Sequence, residues 1–236
     1  MKSYFARNKW MIITLAVLSA VIMYAIYQLK KPPASLPVYQ PNMANKVLVD
    51  SSKQFIRNHH HIADFKLVNQ NGDTITQKNY AGKIYVADFF FTTCQSICPI
   101  MTDHMVKIQK KIKTDPEVKL LSHTVTPKID TVEQLKRYAK KKGVIDSVWN
   151  LVTGDKKQIY NLARKSYFAT KSKGDGGEYD MVHTENFVLV DKRRQIRGFY
   201  DGTDPEAIEK LMDDIEILKK LEKQRAERKK KGWKSG

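Results

Sequence analysis

The apolar positions of this chain change pattern several times along its length. Residues 11–29 (Met-Ile-Ile-Thr-Leu-Ala-Val-Leu-Ser-Ala-Val-Ile-Met-Tyr-Ala-Ile-Tyr-Gln-Leu) carry no charge and are almost wholly apolar. That length is close to the roughly 20 residues a helix needs to cross a bilayer core. Trp10 at one end and Tyr24 and Tyr27 at the other suit the two interfaces. A cleaved secretory signal has a shorter apolar core, of about 7–15 residues, and Leu18-Ser19-Ala20 is a poor cleavage site. The pattern predicts a short tail over residues 1–10 and one uncleaved transmembrane helix over 11–29. Residues 30–58 contain Pro32, Pro33, Pro37 and Pro41 without helical or strand period, and read as a semi-extended linker.

From residue 59 to 218 the periodicity is that of one compact α/β domain. Residues 62–68 and 74–76, joined by Asn69-Gln70-Asn71-Gly72, predict a β-hairpin. Residues 84–91 are a near-continuous apolar run, as in a strand buried on both faces. Pro99 suits the first turn of a helix reaching Lys113. A second buried strand follows over 118–125, then a helix capped by Thr131 and ending near Lys142. A short strand over 149–152 precedes a helix from Asp155 to about Ser166. After the glycine-rich loop at 174–177, strands over 186–190 and 195–200 lead to a last helix opened by Asp204-Pro205-Glu206. Strand-helix-strand units closed by a hairpin and a helix describe a thioredoxin-like three-layer sandwich with an N-terminal β-hairpin.

Charge adds less than its total suggests. The formal net charge is +17, but residues 1–31 hold five basic side chains and no acid, and residues 219–236 hold nine basic and two acidic. The excess lies at the two ends, so the domain itself carries no nucleic-acid signature. The basic tail over 219–236 reads instead as a solvated arm able to meet anionic lipid or an acidic partner. Lys2, Arg7 and Lys9 before the span are nearly balanced by Lys30 and Lys31 after it. A short tail followed by one long domain then places the domain on the outer, periplasmic face of an inner membrane.

Chemistry concentrates in one turn. The two cysteines, Cys94 and Cys98, lie in Phe89-Phe90-Phe91-Thr92-Thr93-Cys94-Gln95-Ser96-Ile97-Cys98-Pro99, where the first long strand gives way to its helix. A helix N-terminus lowers a nearby thiol's pKa, and the thiolate is both nucleophile and metal ligand. Cys-x-x-Cys is the thioredoxin-like redox spacing. Three intervening residues instead bring the sulfurs to one side, about a helical turn apart, where two soft thiolates can hold Cu(I). A soft-metal site, a reversible disulfide, or both are open on this pattern. A purely structural disulfide is disfavoured, because so short a loop removes little chain entropy.

A third ligand would be imidazole. His59, His60 and His61 lie at the linker's edge and read as exposed polar residues; His104 should point away along its helix; His123 reads as an interior strand histidine. His183 ends the loop Glu178-Tyr179-Asp180-Met181-Val182 and precedes a strand, on the side of a thioredoxin-like fold that faces the cysteine turn. It is the candidate. Asp88, six residues before Cys94, is either a proton acceptor for a thiol or an aspartate with a local hydrogen-bond partner.

The run Asp88 to Pro99, His183-Thr184 before Phe-Val-Leu-Val-Asp, Ala81-Gly82-Lys83, Thr126-Pro127-Lys128-Ile129-Asp130-Thr131 and Leu151-Val152-Thr153-Gly154 together resemble the Sco family of copper-binding assembly proteins. The resemblance covers about residues 60–218. It implies a thioredoxin-like fold and one copper, Cu(I) and/or Cu(II), held by Cys94, Cys98 and His183. It also implies delivery to a copper-accepting subunit of cytochrome c oxidase. The implied protein is a chaperone, with a thiol-disulfide reductase using Cys94 and Cys98 as its alternative and a peroxide-reducing enzyme as a weaker one. Gln95-Ser96 stands where the family often has Pro-Asp. Val182 and Thr126 replace aspartates that usually precede the histidine and Pro127.

Overall fold

The computed structural model describes residues 9–30, 35–40, 60–170, 174, 176, 177 and 179–232. The expectations for residues 1–8, most of the linker, His59, Asp175, Glu178 and residues 233–236 lie outside the described residues. The chain divides into two compact units, Met1–Ser35 and Leu36–Gly236.

The first unit is the helix α1, Lys9–Lys30. Its two hydroxyl side chains fold back onto the helix, Thr14 Oγ1 donating to the Met11 carbonyl and Ser19 Oγ to the Ala16 carbonyl, both at 2.9 Å. Its side chains are described over residues 9–24, where Trp10, Met11, Ile12, Ile13, Leu15 and Val17 are exposed. Among the described residues no helix is long and apolar enough to cross a membrane.

In the second unit the elements follow the chain as β1 (Lys66–Asn69), β2 (Thr74–Thr76), β3 (Ile84–Phe90), α2 (Ile97–Ile112), β4 (Val118–Thr124), α3 (Val132–Lys142), β5 (Trp149–Thr153), α4 (Lys156–Asn161), β6 (Asn186–Val190), β7 (Ile196–Asp201) and α5 (Pro205–Lys230). Among the described residues the strands form one mixed sheet in the order β2-β1-β5-β4-β3-β6-β7. β3 pairs parallel with β4 and antiparallel with β6, so it is central and buried at every position. Because successive side chains alternate, Ile84, Val86 and Phe90 enter one core with α2, α3 and α5. Tyr85, Ala87 and Phe89 enter the other, with Ile159, Tyr160 and Leu162. The result is the three-layer α/β arrangement expected.

Two boundaries differ from the sequence reading. β1 begins at Lys66, not residue 62, because Ile62 packs into the core while its N–H is spent on the Arg194 carbonyl at 2.8 Å. α2 begins at Ile97, with Pro99 in its first turn as expected and Cys98 beside it. The expected helix to Ser166 is α-helical only to Asn161 and continues as a π turn over Leu162–Ser166. Within the stretch expected as linker, residues 36–40 lie against β7. Buried Arg197 donates to the Pro37 carbonyl (2.9 Å) and the Leu36 carbonyl (2.6 Å), and the Tyr39 ring meets Phe199 edge-on at 5.2 Å. α5 runs unbroken through the boundary expected between domain and basic tail, and its side chains from Lys223 to Gly232 are exposed.

Candidate metal and redox site

The cysteine turn starts where β3 loses its neighbours. The Cys94 N–H donates to the Phe91 carbonyl at 3.3 Å, closing the turn. Thr92 is fixed to Asp130, donating from its backbone at 3.2 Å and from its hydroxyl at 2.5 Å. Asp130 is wholly buried and also accepts from the hydroxyls of Thr124 and Thr126, the latter at 3.0 Å. Gln134 donates to the Thr92 hydroxyl at 2.9 Å. A buried carboxylate needs such donors, and here they tie the turn to the loop after β4. Thr126 takes part in this network, its hydroxyl serving as one of the donors to Asp130.

Ser96 is the N-cap of α2, yet its side chain makes no cap hydrogen bond. Its hydroxyl lies 3.5 Å from the Cys94 sulfur instead. Both cysteines are free, Cys94 half-buried and Cys98 buried. Partial burial pushes the Cys94 thiol up, but the Ser96 hydroxyl, the N–H groups of Cys98 and Ser96 and the Cys98 thiol outweigh it, bringing the pKa down to about 7. Burial pushes the Cys98 thiol up to about 12, opposed by the Phe91 backbone and reinforced by Cys94 and Asp88. The turn therefore holds one accessible, acidic thiol beside one buried, reluctant one.

Asp88 is buried on the α2 side of β3. It accepts from the Ser122 hydroxyl, which in turn accepts from the Trp149 indole N–H at 2.8 Å. Burial pushes its carboxyl up to about 7 despite the Ser122 bond. Asp88 thus has the local partner expected of an interior aspartate, and its charge is also felt at Cys98.

His183 is exposed, and its ring meets Phe91 edge-on with centroids 5.9 Å apart and planes at 84°. Phe91 links the two parts of the site: its carbonyl holds the Cys94 turn and its ring faces the histidine. Val182 is buried in the apolar core, where a carboxylate would be desolvated. The structure places Cys94 and Cys98 together at the start of α2, Cys98 in the core cluster that Cys94 borders, and places His183 across the Phe91 ring. Among the described residues, no group of three or more His, Cys, Asp or Glu side chains could hold a metal ion as they stand.

The other histidines are accounted for in part. His60 is half-buried rather than exposed, because its ring nitrogen pairs with the Ser166 carbonyl at 2.7 Å and the ring packs on Phe168. His104 Nδ1 pairs with the Gly202 carbonyl at 2.7 Å, away from the thiols. His123 is fully buried against Phe65, Phe89 and Tyr167; burial pushes its pKa down to about 4, and Nε2 has no hydrogen-bond partner. Two functional contributors escaped the sequence reading. Phe91 looked like core, and Asp130 lies 36 positions from Cys94, so only the fold reveals that they flank it.

The SCO1/SenC family model matches residues 53–220, well over half the chain. A SCO1 protein homolog from Bacillus subtilis (strain 168) is 31% identical over 162 residues, spanning 68% of this chain and 83% of its own. Among solved structures, BsSco is a member of the Sco family of cytochrome c oxidase assembly proteins in which a disulfide switch was identified. It matches with TM-score 0.57 and 30% identity over 67% of this chain and 93% of that one. Arabidopsis thaliana ScoI, crystallised with copper bound, matches with TM-score 0.51 and 25% identity over 65% and 97% respectively. The fold is the thioredoxin-like one of these structures, and the matched segment contains both cysteines and His183. On the family match and these relatives together, the chain belongs to the SCO1/SenC family.

Proposed function

We propose that this protein carries one copper ion on Cys94, Cys98 and His183 and delivers it to a copper-accepting subunit of a cytochrome c oxidase. The observation that carries the reading is the thiol pair: two free soft donors in one turn at a helix start, one of them acidic enough to be thiolate near neutral pH. Paired thiolates suit soft metals such as Cu(I), and imidazole completes a three-coordinate set. His183 is supported by its exposure and by its contact with Phe91, the residue that closes the Cys94 turn. Copper bound to ScoI and the oxidase-assembly role of the BsSco family support cargo and destination. Copper titration of the reduced protein, repeated with His183→Ala, tests this. One copper per chain with clearly weaker binding in the variant is expected; unchanged stoichiometry and affinity would remove His183 from the site.

A second reading is favoured by the unequal thiols. An accessible thiol of low pKa beside a buried one of high pKa suits attack on a disulfide by Cys94 and resolution by Cys98. Asp88 would then accept the Cys98 proton. Fast turnover of a disulfide substrate by a protein that fails to bind copper would favour it. The two uses are compatible in sequence, because a Cys94–Cys98 disulfide would release metal.

The uncharged run over 11–29 supports a single-pass anchor with the domain on the outer face of the inner membrane. The exposed basic end of α5 supports contact with anionic headgroups. Retention in the membrane fraction after alkaline carbonate washing is expected for the whole chain. Release by that wash would exclude the anchor.

A further inference from the structure

The segment that ends at His183 is held by side chains, and the holding is centred on Asp180. Arg164 reaches it with both terminal nitrogens, Nη1 to Oδ2 and Nη2 to Oδ1, each at 2.6 Å. This is the bidentate fork geometry that gives direction as well as strength. The Gly176 N–H donates to Oδ2 at 2.7 Å. Lys156 closes the back, donating to the carbonyls of Gly177 and Asp180 at 2.7 Å each. The pair is nearly sealed, with 11% of the Arg164 side chain and 8% of the Asp180 side chain exposed.

The surroundings are built for this contact. The π turn over Leu162–Ser166 carries Arg164, and such turns recur at functional sites. Tyr160 lies beneath both cations, with Lys156 Nζ 4.9 Å and the Arg164 guanidinium 5.3 Å from its ring centre. A Cβ on Gly174 would stand 2.3 Å from both Asp180 carboxylate oxygens, which the fork prevents from moving aside. The next residues continue the hold. The Tyr160 hydroxyl donates to the Val125 carbonyl at 2.8 Å and lies 3.8 Å from the Met181 sulfur, and Val182 is buried. Thr170 donates to the His183 carbonyl at 3.2 Å. Three residues after the fork the imidazole emerges exposed.

We infer that the Arg164–Asp180 fork is a positioning clasp that presets His183 for the metal, so that the ordering of this arm is completed on folding and not on copper binding. The inference rests on His183 being a copper ligand. A ligand on an unclasped loop would lose conformational freedom on binding, and that cost would weaken the site. Residues that orient a ligand typically contribute about 10–100-fold to metal affinity.

The test is a double-mutant cycle on the detergent-solubilised full chain, reduced, with Cu(I) affinity measured by competition against a chromophoric chelator. Asp180→Asn should weaken binding about 10–100-fold, and Arg164→Lys, which keeps the charge but loses the fork, should weaken it in the same direction. In a His183→Ala background neither should change affinity further, beyond about twofold, because the clasp would have nothing left to position. Equal losses in both backgrounds would overturn the clasp in favour of a general structural effect, and no loss in the His183-containing protein would overturn it outright. If His183→Ala itself proves neutral, the ligand reading fails, and amide exchange in the copper-free protein decides the clasp separately. Faster exchange at residues 181–184 in both variants, with β3 unchanged, supports it; unchanged exchange there overturns it.

Discussion

The two halves of the candidate site are made in different ways. The cysteine turn grows directly out of regular structure: a central strand buried on both faces delivers it, a helix receives it, and Asp130 bolts it to the neighbouring loop. The His183 arm leaves irregular chain and is fixed by an ion pair, a buried valine and a threonine hydroxyl. The first half supplies reactivity and the second supplies an imidazole. A carrier gains from that division, because the thiol pair and the imidazole are each held by their own supports.

The comparison breaks most sharply at the sulfurs. Cys94→Ser and Cys98→Ser should each abolish copper binding in titrations of the reduced chain, whereas His183→Ala should leave a weaker site. Comparable residual binding in all three would erase the distinction between the halves. The thiols should also differ from one another. With Cys94 near 7 and Cys98 near 12, metal-free alkylation at pH 8 should favour Cys94 by about 30–100-fold, the larger thiolate fraction outweighing its lower intrinsic nucleophilicity. The Cys94 rate should rise with pH to a plateau above a midpoint near 7. Equal labelling by fragment mass spectrometry would contradict the asymmetry.

A third prediction concerns what lies behind the turn. Asp88 titrates near 7 in the fold and near 3.9 unfolded, so its contribution to stability is full below pH 4 and lost as pH rises through 7. His123 titrates near 4 in the fold and near 6.5 unfolded, so its contribution is full above pH 6.5 and lost as pH falls through 4. Between about pH 4 and 6.5 the two slopes oppose each other. Chemical denaturation should show Asp88→Asn gaining stability with pH in that window and His123→Gln losing it, each by up to about 3 kcal/mol. Parallel slopes would show that one of the assignments is wrong. The smallest effect is expected at Asp130. Asp130→Asn keeps an acceptor for some of the threonine hydroxyls, so a loss of about 1–3 kcal/mol is expected, together with weaker copper binding through the loosened Cys94 turn. A full loss of stability with unaltered affinity in the surviving fold would separate Asp130 from the site.

The same contrast governs what could be read from sequence. The run over 84–91, the proline after Cys98 and the Thr131 cap are local signals, so β3, α2, α3 and the cysteine turn were legible from the residues themselves. What was not legible is that Ser96 caps α2 by position while its hydroxyl lies against Cys94. His183 could be named only as the histidine before a strand, since what fixes it comes from Arg164, Lys156 and Thr170, elements distant in sequence. The π turn that carries Arg164 has no composition of its own and was read as ordinary helix. Thr126 and Val182 looked like departures from the family pattern. Their surroundings, a hydrogen bond to Asp130 and an apolar core position, appear only once the chain is folded.

The account turns on the thiols being both the copper ligands and the gate. The most direct measurement is copper stoichiometry on one preparation, first with Cys94 and Cys98 reduced and then after oxidation to the disulfide. One copper per reduced chain and none per oxidised chain is the expected result. Copper retained equally in both states, or bound by neither, would contradict it.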